Sequence, residues 1–395
     1  MSKLTLENLA LKGKRVLMRV DFNVPLTPNG AIADDSRIRA ALPSIQYILQ
    51  QGASLILMSH LGRPKAKPDS QYSLAPCAKR LSELLHQPVE FVSDCIGPEV
   101  EKRVAKLKKS EILLLENLRF HEGEEEPEKD PLFVEQLAKL GDLYVNDAFG
   151  TAHRAHASTA FIAKYFPHKA AMGFLMQKEL SFLSPLLHHP THPFFAILGG
   201  AKVSTKAGII HSLLKKVDAL YLGGAMIFTF LKAKGQSVGD SIVEESEVKT
   251  AQELFSSKKI HLPLDLVIAD AFSNAAHTKS ISIAEPIPMG WRGMDIGPKT
   301  IAAWSRELCQ GATVFWNGPL GVFEMTHFAK GTQEIAAALS HSAGKVIIGG
   351  GDSVAAMQQM GFAHSFAHLS TGGGASLEYL EFGHLPGIDA LSDQP

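Results

Sequence analysis

Residues 346–357, VIIGGGDSVAAM, combine an apolar run, three glycines and the start of a predicted helix. Backbone N–H groups at a helix N-terminus carry partial positive charge, and glycine lets an anion approach them closely. The segment therefore predicts a phosphate site. No lysine follows the glycines as in a P-loop, and Val354 occupies the third glycine position of a dinucleotide fingerprint. Another part of the chain must supply the positive charge.

Four more expected strand ends in the second half carry glycine-rich turns: GGAKVSTKAG (199–208), GGAM (223–226), NGPLGVFE (317–324) and STGGGAS (370–376). Lys202 and Lys206 are spaced one helical turn apart at an expected helix start. Amides and lysines would hold phosphates, Asp352 would hold Mg²⁺, and Glu324 would accept from a ribose hydroxyl. Each glycine run alone is also explained by a tight turn without a ligand. Five of them at successive strand ends favour a nucleotide site.

The first half of the chain brings cations and polar groups to its expected strand ends. Nine of the eleven arginines lie before residue 174. The candidates are Asp21, Asn23, Arg37, His60, Arg63, Arg119 and Arg154. Arginine suits phosphate and carboxylate, so the set predicts a pocket for a small, multiply anionic substrate with hydroxyls. The alternatives are surface placement of the arginines, a turn or capping role for Asp21 and a buried structural role for His60.

Short apolar runs alternate with longer amphipathic stretches, which predicts an α/β protein with a parallel sheet formed twice. The expected strands are 15–20, 54–58, 111–116, 143–146, 194–198, 219–223, 264–269, 313–316, 345–349 and 366–369. The expected helices include 36–51, 75–86, 131–140, 204–217, 300–310 and 329–341. Within residues 175–194, a helical pattern runs to about Leu187 and a His/Pro-rich stretch follows, so this segment is predicted as a helix that links two doubly wound domains. The acidic stretch 121–130, HEGEEEPEKD, reads as a solvated loop.

Composition narrows the class of protein. A length of 395 residues predicts about two domains, and 45% hydrophobic with 20% charged residues is ordinary for a soluble globular protein. A net charge of −1 gives no drive toward nucleic acid or an anionic membrane. No apolar run approaches a membrane span, and the first residues lack a signal-peptide core. The cysteines Cys77, Cys95 and Cys309 form no C-x-x-C, which argues against disulfides or a zinc site and fits a reducing cytoplasm.

Nine segments closely resemble, in order and spacing, the signature segments of phosphoglycerate kinase. They are RVDFNVP, DDSRIRAALP, MSHLGRP, LLENLRF, NDAFGTAHRAHAS, LGGAKVSTK, FWNGPLGVFE, GGGDS and STGGGAS, and the resemblance runs from about Leu11 to the end. It implies two Rossmann-like, doubly wound parallel-sheet domains with a cleft between them. The implied divisions are a glycerate-binding domain (1–173, with 381–395 packing back on it), a linking helix (174–187) and a nucleotide-binding domain (188–380).

The same resemblance implies a function. It is glycolytic transfer of a phosphoryl group between 1,3-bisphosphoglycerate and ADP, giving 3-phosphoglycerate and ATP, with Mg²⁺, by a cytoplasmic monomer. The implied glycerate contacts are Asp21, Asn23, Arg37, His60, Arg63, Arg119 and Arg154. The implied nucleotide contacts are Lys202, Lys206, Gly223, Gly224, Asn317, Glu324, Gly350, Gly351, Asp352 and Ser353, with Asp352 on the metal. The implied catalytic groups are Arg37, Lys206, Gly373 and Gly374. Ser353 stands where threonine is common, which preserves a hydroxyl and an N–H.

The implied chemistry agrees with the residue types. A carboxylate nucleophile is already ionised at neutral pH, so catalysis needs positioning and charge stabilisation rather than a general base. Closure of the two lobes would bring the reacting atoms together and exclude water. Two alternatives stay open: a non-catalytic nucleotide-binding module that docks an acidic partner, and a dinucleotide-dependent dehydrogenase. The dehydrogenase would need a G-x-G-x-x-G turn followed by an acidic residue, which the chain lacks.

Overall fold

The computed structural model describes residues 3–394, and the chain divides into two compact units. The first unit contains the chain up to Ser181 together with the segment from His384, and the second contains Phe182–Gly383. Each unit is built around one six-stranded parallel sheet. The α/β fold class predicted from the alternating runs is confirmed.

The sheet of the first unit has the order β3-β4-β2-β1-β5-β6. Its strands are β1 (Arg15–Arg19), β2 (Ser54–Met58), β3 (Val89–Phe91), β4 (Ile112–Leu114), β5 (Leu143–Asn146) and β6 (Ala170–Met172). The helices that begin in this unit are α1 (Ser36–Gln50), α2 (Ala75–Leu85), α3 (Pro98–Lys106), α4 (Glu122–Glu125), α5 (Pro131–Ala138), α6 (Phe174–His188) and α14 (Pro386–Asp389). The strand order reverses between β1 and β5, and ligands of such sheets bind at the carboxyl ends of strands beside that reversal.

The strands of the first sheet that the sequence predicted are those whose residues are buried along most or all of their length. Strands β2, β4 and β5 are buried along their whole length, and β1 is buried except at its first residue. Strands buried on both faces appear in a sequence as continuous apolar runs. The strands β3 and β6 lie at the sheet edges with three residues each, and the sequence did not predict them.

The last residues of the chain belong to the first unit through backbone hydrogen bonds. Gly387 N–H donates to the carbonyl of Ala152 at 2.8 Å, and Leu4 N–H donates to the carbonyl of Ser392 at 2.7 Å. Asn146, at the end of β5, donates from its side-chain amide to the Gly387 carbonyl at 3.1 Å. These bonds attach α14 and its neighbours beside the carboxyl end of β5.

The sheet of the second unit has the order β15-β14-β13-β7-β8-β9. Its strands are β7 (Phe194–Leu198), β8 (Ala219–Leu222), β9 (Ile260–His261), β13 (Thr313–Asn317), β14 (Lys345–Gly349) and β15 (His368–Leu369). The accompanying helices are α7 (Ala207–Leu214), α8 (Ile227–Ala233), α9 (Val248–Leu254), α10 (Pro298–Leu308), α11 (Lys330–Ser340), α12 (Gly351–Gln359) and α13 (Gly374–Phe382). The strand order reverses between β7 and β13, so the carboxyl ends of these two strands are the expected ligand site.

One predicted strand belongs to a different sheet. The run 264–269 was expected in the second parallel sheet, but β10 (Asp265–Ala269) is the centre of a three-stranded antiparallel sheet with β11 (Thr278–Ser282) and β12 (Arg292–Ile296). The prediction was wrong because an apolar run indicates a buried strand without indicating which strands pair with it.

No helix in the described residues 3–394 is long and apolar enough to cross a membrane.

Candidate active site

The loops that follow β1 and β2 are joined by polar contacts. Asp21 accepts a hydrogen bond from Arg37, which lies in the first turn of α1. The side-chain oxygen of Asn23 accepts from the backbone N–H of Gly62 at 2.8 Å. Asp21 is buried, whereas the Arg37 side chain is 36% exposed. The loops therefore present one partly accessible guanidinium beside a buried carboxylate.

His60, in the loop after β2, is buried, and its contact with Arg19 determines which ring nitrogen carries the proton. Its Nδ1 lies 3.1 Å from Nη2 of Arg19. A guanidinium can only donate, so Nδ1 accepts and the ring proton resides on Nε2. Burial lowers the pKa of His60 well below its ordinary value, and the nearby Arg19 and Arg119 lower it further. His60 is therefore a neutral side chain with an N–H donor at Nε2.

We expect His60 to remain in this Nε2–H form through its ordinary titration range near pH 6.5, because burial and adjacent arginines oppose a second proton. Nitrogen NMR of the histidine-labelled chain would report the tautomer, with the signal assigned by its loss in His60→Gln. An imidazolium signal from His60 at neutral pH would contradict the assignment.

The remaining arginines of the predicted set differ in how firmly they are held. Arg119 donates from Nη1 to the Gly62 carbonyl at 2.8 Å and pairs with Glu125 at 3.1 Å. Its Nε is buried without a hydrogen-bond partner, and burial lowers its pKa. Arg63 and Arg154 are exposed, and neither side chain makes a hydrogen bond or ion pair within residues 3–394. These two guanidinium groups are available to an incoming anion.

In the second unit, Lys206 and Asn317 join the ends of β7 and β13. Lys206 is 9% exposed and donates from Nζ to the side-chain oxygen of Asn317. Asn317 in turn donates to the Gly349 carbonyl at 2.8 Å. Burial lowers the pKa of Lys206 to about 8, although the charge of Asp352 opposes the shift. This lysine lies where the strand order reverses, which is the predicted place for a ligand.

The loop after β14 requires a glycine at position 350. Gly350 has a φ of +94°, and a Cβ there would lie 2.5 Å from the amide nitrogen of Asn317. Ser353 is buried and its hydroxyl accepts from the Gly318 N–H at 2.6 Å. Gly351 begins α12, and a Cβ at this exposed glycine would meet no atom within 4 Å. The first N–H groups of α12 are therefore held in place and open to an anion.

A cavity of about 490 Å³ adjoins this loop within the second unit. Its apolar wall includes Phe228, Met294 and Leu320, and its polar groups include Glu324 and Asp352. The backbones of Gly224 and Gly200 approach so closely that a Cβ at Gly224 would collide with Gly200. A Cβ at Gly223 would collide with the Leu320 side chain. Gly224 lines the cavity, and Gly223 leaves room for Leu320 of its apolar wall. The mixture of an apolar wall and few polar groups is typical of a small-molecule site.

The remaining predicted groups lie at helix starts in the second unit. Gly373 precedes α13 with a φ of +52°, and Gly374 is the first residue of that helix. The sequence predicted Lys202 and Lys206 one helical turn apart at the start of a helix over 204–217, but that helix begins later in the chain. Helix α7 begins at Ala207, so Lys206 immediately precedes it, and the exposed Lys202 lies before the turn of residues 204–206. The residues before Ala207 form a turn that places the Lys206 ammonium on Asn317, a partner distant in the sequence that the local periodicity does not indicate.

Comparison with known proteins identifies the family. A family model described as phosphoglycerate kinase matches residues 6–383. The chain is 54% identical over 399 residues to the phosphoglycerate kinase of Moorella thermoacetica, with 100% of both chains covered. It is 54% identical over 397 residues to a cytosolic phosphoglycerate kinase of Nicotiana tabacum, with 98% of each covered. The structure of phosphoglycerate kinase from Coxiella burnetii superposes with a TM-score of 0.87 at 39% identity and 98% coverage of each chain.

The chain belongs to the phosphoglycerate kinase family. It catalyses the glycolytic transfer of a phosphoryl group between 1,3-bisphosphoglycerate and ADP, as the sequence resemblance implied. The two alternatives from the sequence, a non-catalytic nucleotide-binding module and a dehydrogenase, are excluded by full-length similarity to kinases of this family.

Sequence reasoning missed two buried charges of this kinase. Arg19 at the end of β1 and Glu124 in α4 are both fully buried, and their charged groups lie 4.0 Å apart. Arg19 also donates to the Ser158 hydroxyl at 2.8 Å, and that hydroxyl donates to Glu124 at 2.7 Å. The description of 121–130 as a solvated loop was therefore wrong at Glu124. The only sequence signal for Arg19 was a charge inside the apolar run RVLMRV.

Proposed function

We propose that the first unit binds 3-phosphoglycerate or 1,3-bisphosphoglycerate at the carboxyl ends of β1, β2, β4 and β5. The available guanidinium groups of Arg63 and Arg154, with Arg119 and the Nε2–H of His60, would hold the phosphate that is not transferred. Asn23 would use its amide donor on the substrate, since its oxygen is already engaged by Gly62. Asp21 would accept from a substrate hydroxyl while it orients Arg37. The observation that supports this proposal is the concentration of these anion-binding donors on one unit.

The second unit would bind ADP or ATP. The apolar cavity beside Gly223 and Gly224 is suited to the base, and Glu324 on its lining is suited to a ribose hydroxyl. The phosphates would meet the N–H groups of Gly351 and its neighbours at the start of α12, together with the ammonium groups of Lys202 and Lys206. The loop formed by Gly350 and Ser353 and the side chain of Asn317 would hold this region in shape.

Asp352 fits the proposed magnesium contact. It is exposed in the first turn of α12, it lines the cavity, and its carboxylate makes no hydrogen bond within residues 3–394. Mg²⁺ prefers one or two carboxylates together with phosphate oxygens and water, which this single unengaged carboxylate matches. The ion, which would arrive with the nucleotide, supplies charge neutralisation of the phosphates.

The transfer itself would need only positioned charge. The glycerate carboxylate attacks the terminal phosphoryl group of ATP in line, so no side chain has to remove a proton. Arg37, Lys206 and the backbone N–H groups at Gly373 and Gly374 would stabilise the charge on the moving group. We infer that the two units close for this step, since reacting atoms must come within about 3–3.5 Å. The enzyme would act in the cytoplasm, as does the tobacco relative that is described as cytosolic, and we propose that it acts as a monomer.

The proposed division of substrates predicts separable binding defects. In the full chain, Arg63→Ala should weaken 3-phosphoglycerate binding and leave ADP binding unchanged, because Arg63 would contact only the glycerate phosphate. Glu324→Gln should weaken ADP binding alone. Isothermal titration with each ligand measures both effects, and Arg103→Ala, an exposed arginine on α3, is the matched control. A loss of ADP affinity in Arg63→Ala would overturn the assignment of sites.

The buried ammonium of Lys206 predicts that activity falls at alkaline pH. Because burial lowers its pKa to about 8, the free enzyme loses this positive charge as the pH rises through that value. We expect kcat/KM for ATP to fall above about pH 8, whereas kcat falls at higher pH because bound phosphates favour the ammonium. The variant Lys206→Arg keeps its charge throughout and should lack this fall. An identical fall in Lys206→Arg would assign the titration to another group.

A further inference from the structure

Three side chains with metal-ligand chemistry meet in the first unit, whereas the residues assigned to the nucleotide belong to the second unit. Asp94 and Cys95 lie in the bend between β3 and α3, and His121 immediately precedes α4. A carboxylate oxygen, the thiol sulfur and an imidazole nitrogen of these residues all lie within 4.8 Å of one another. Nε2 of His121 is 2.7 Å from the Asp94 carboxylate. The sequence argued against a zinc site from cysteine spacing alone, which does not show that His121 reaches Cys95.

The thiol of Cys95 is the member of this cluster without a structural partner. It is fully buried, and its sulfur makes no hydrogen bond within residues 3–394. Burial raises the pKa of the thiol well above its ordinary value, and the charges of Asp94, Glu124 and Glu116 raise it further. Negative groups therefore surround a buried sulfur atom. That surrounding disfavours a bare thiolate and favours a cation beside it.

We propose that Asp94, Cys95 and His121 bind one thiophilic divalent cation of the Zn²⁺ class. Zinc takes thiolate, imidazole and carboxylate ligands at about 2.0–2.3 Å in a tetrahedron, which sets its ligand atoms about 3.3–3.8 Å apart. The three atoms of the cluster lie within reach of that spacing after small side-chain shifts. Binding breaks the Cys95 S–H bond, releases its proton to solvent and forms the metal–sulfur bond. The imidazole proton resides on Nδ1, and water completes the fourth position.

This ligand set differs from the proposed magnesium contact. Asp352 offers oxygen alone, which suits a hard cation, whereas a thiolate and an imidazole select zinc, cobalt or copper over magnesium. The ion would connect the bend that carries Cys95 to the segment after Arg119, which lies two residues before His121. It would thereby fix the backbone next to an arginine of the proposed glycerate site. The proposal does not rest on the roles assigned to the substrate contacts.

Cobalt tests the site because a Co²⁺–thiolate bond has a charge-transfer absorption that magnesium and carboxylate sites lack. The full chain, freed of metal with a chelator and without nucleotide, should bind one Co²⁺ with this absorption, and Zn²⁺ should remove it. In His121→Gln and Asp94→Asn, the Co²⁺ dissociation constant should rise at least ~10-fold. Mutation of a residue that only hydrogen-bonds to a metal ligand already has an effect of this size, and loss of the ligand itself should have no smaller one. Cys95→Ser should abolish the absorption. Zn²⁺ should also raise the thermal midpoint of the wild type but not of His121→Gln.

The matched control is Cys309→Ser, which removes a partly exposed thiol from the second unit and should leave the absorption unchanged. Asp94 and His121 are exposed or partly exposed, so their variants keep the proposal testable if the buried Cys95→Ser does not fold. Absence of the absorption in the wild type would overturn the proposal. Its persistence in Cys95→Ser, or unchanged Co²⁺ affinity in His121→Gln, would overturn it equally.

Discussion

Replacement of Arg37 by alanine is expected to lower kcat by about 100-fold or more, with a smaller change in KM for 3-phosphoglycerate. We assign Arg37 to the moving phosphoryl group, whose charge is redistributed only during transfer, so its loss acts mainly on the transition state. A 100-fold loss is the scale for removing one preorganised charge stabiliser. Steady-state kinetics in the ATP-consuming direction, with both substrates varied, measure the two constants.

Three further variants separate this role from others. Arg37→Lys keeps the positive charge but lacks the planar guanidinium group, so its kcat should lie between those of the wild type and Arg37→Ala. Arg39→Ala, on the same helix and engaged with Asp35, should leave both constants unchanged. Asp21→Asn tests whether Arg37 acts only by holding Asp21, in which case both variants would show the same defect. A pure KM effect in Arg37→Ala, combined with a kcat loss in Arg63→Ala, would exchange the roles of these two arginines.

The glycine-rich strand ends of the second unit could be predicted from the sequence because this site depends on local backbone requirements. A helix start that must approach an anion needs residues without a Cβ, and Gly350 has both a positive φ and the Asn317 amide where its Cβ would be. Gly224 meets the backbone of Gly200 in the same way. Such requirements leave glycine runs at strand ends, and the order of strands then brings those ends together.

Pairing and burial of charges could not be read from the sequence in the same way. Glu124 lies in an acidic stretch of the kind that is usually solvated, yet it is buried because Ser158, from a segment after β5, donates to it from both its hydroxyl and its backbone N–H. The expected parallel strand at 264–269 failed for a related reason, since its partners come from later segments of the chain. Long-range partners determine both features, and local patterns contain no information about them.

The buried pair of Arg19 and Glu124 predicts the largest loss of stability. Arg19→Met should lower the free energy of unfolding of the first unit by about 3–5 kcal/mol, because Glu124 would remain fully buried without its opposite charge. All three tryptophans, Trp291, Trp304 and Trp316, lie in the second unit, so their fluorescence does not report this change. Hydrogen exchange of first-unit peptides, followed by mass spectrometry, measures the opening free energy directly.

A double variant decides whether the loss comes from the orphaned carboxylate or from lost packing. Arg19→Met with Glu124→Gln removes both charges and keeps one acceptor oxygen for Ser158, so it should be more stable than Arg19→Met alone. Arg103→Met provides the control, since Arg103 pairs with Glu90 and Glu99 at the surface, and exposed pairs contribute about 0–1 kcal/mol. If the double variant is no more stable than Arg19→Met, the destabilisation comes from the packing of the Arg19 side chain.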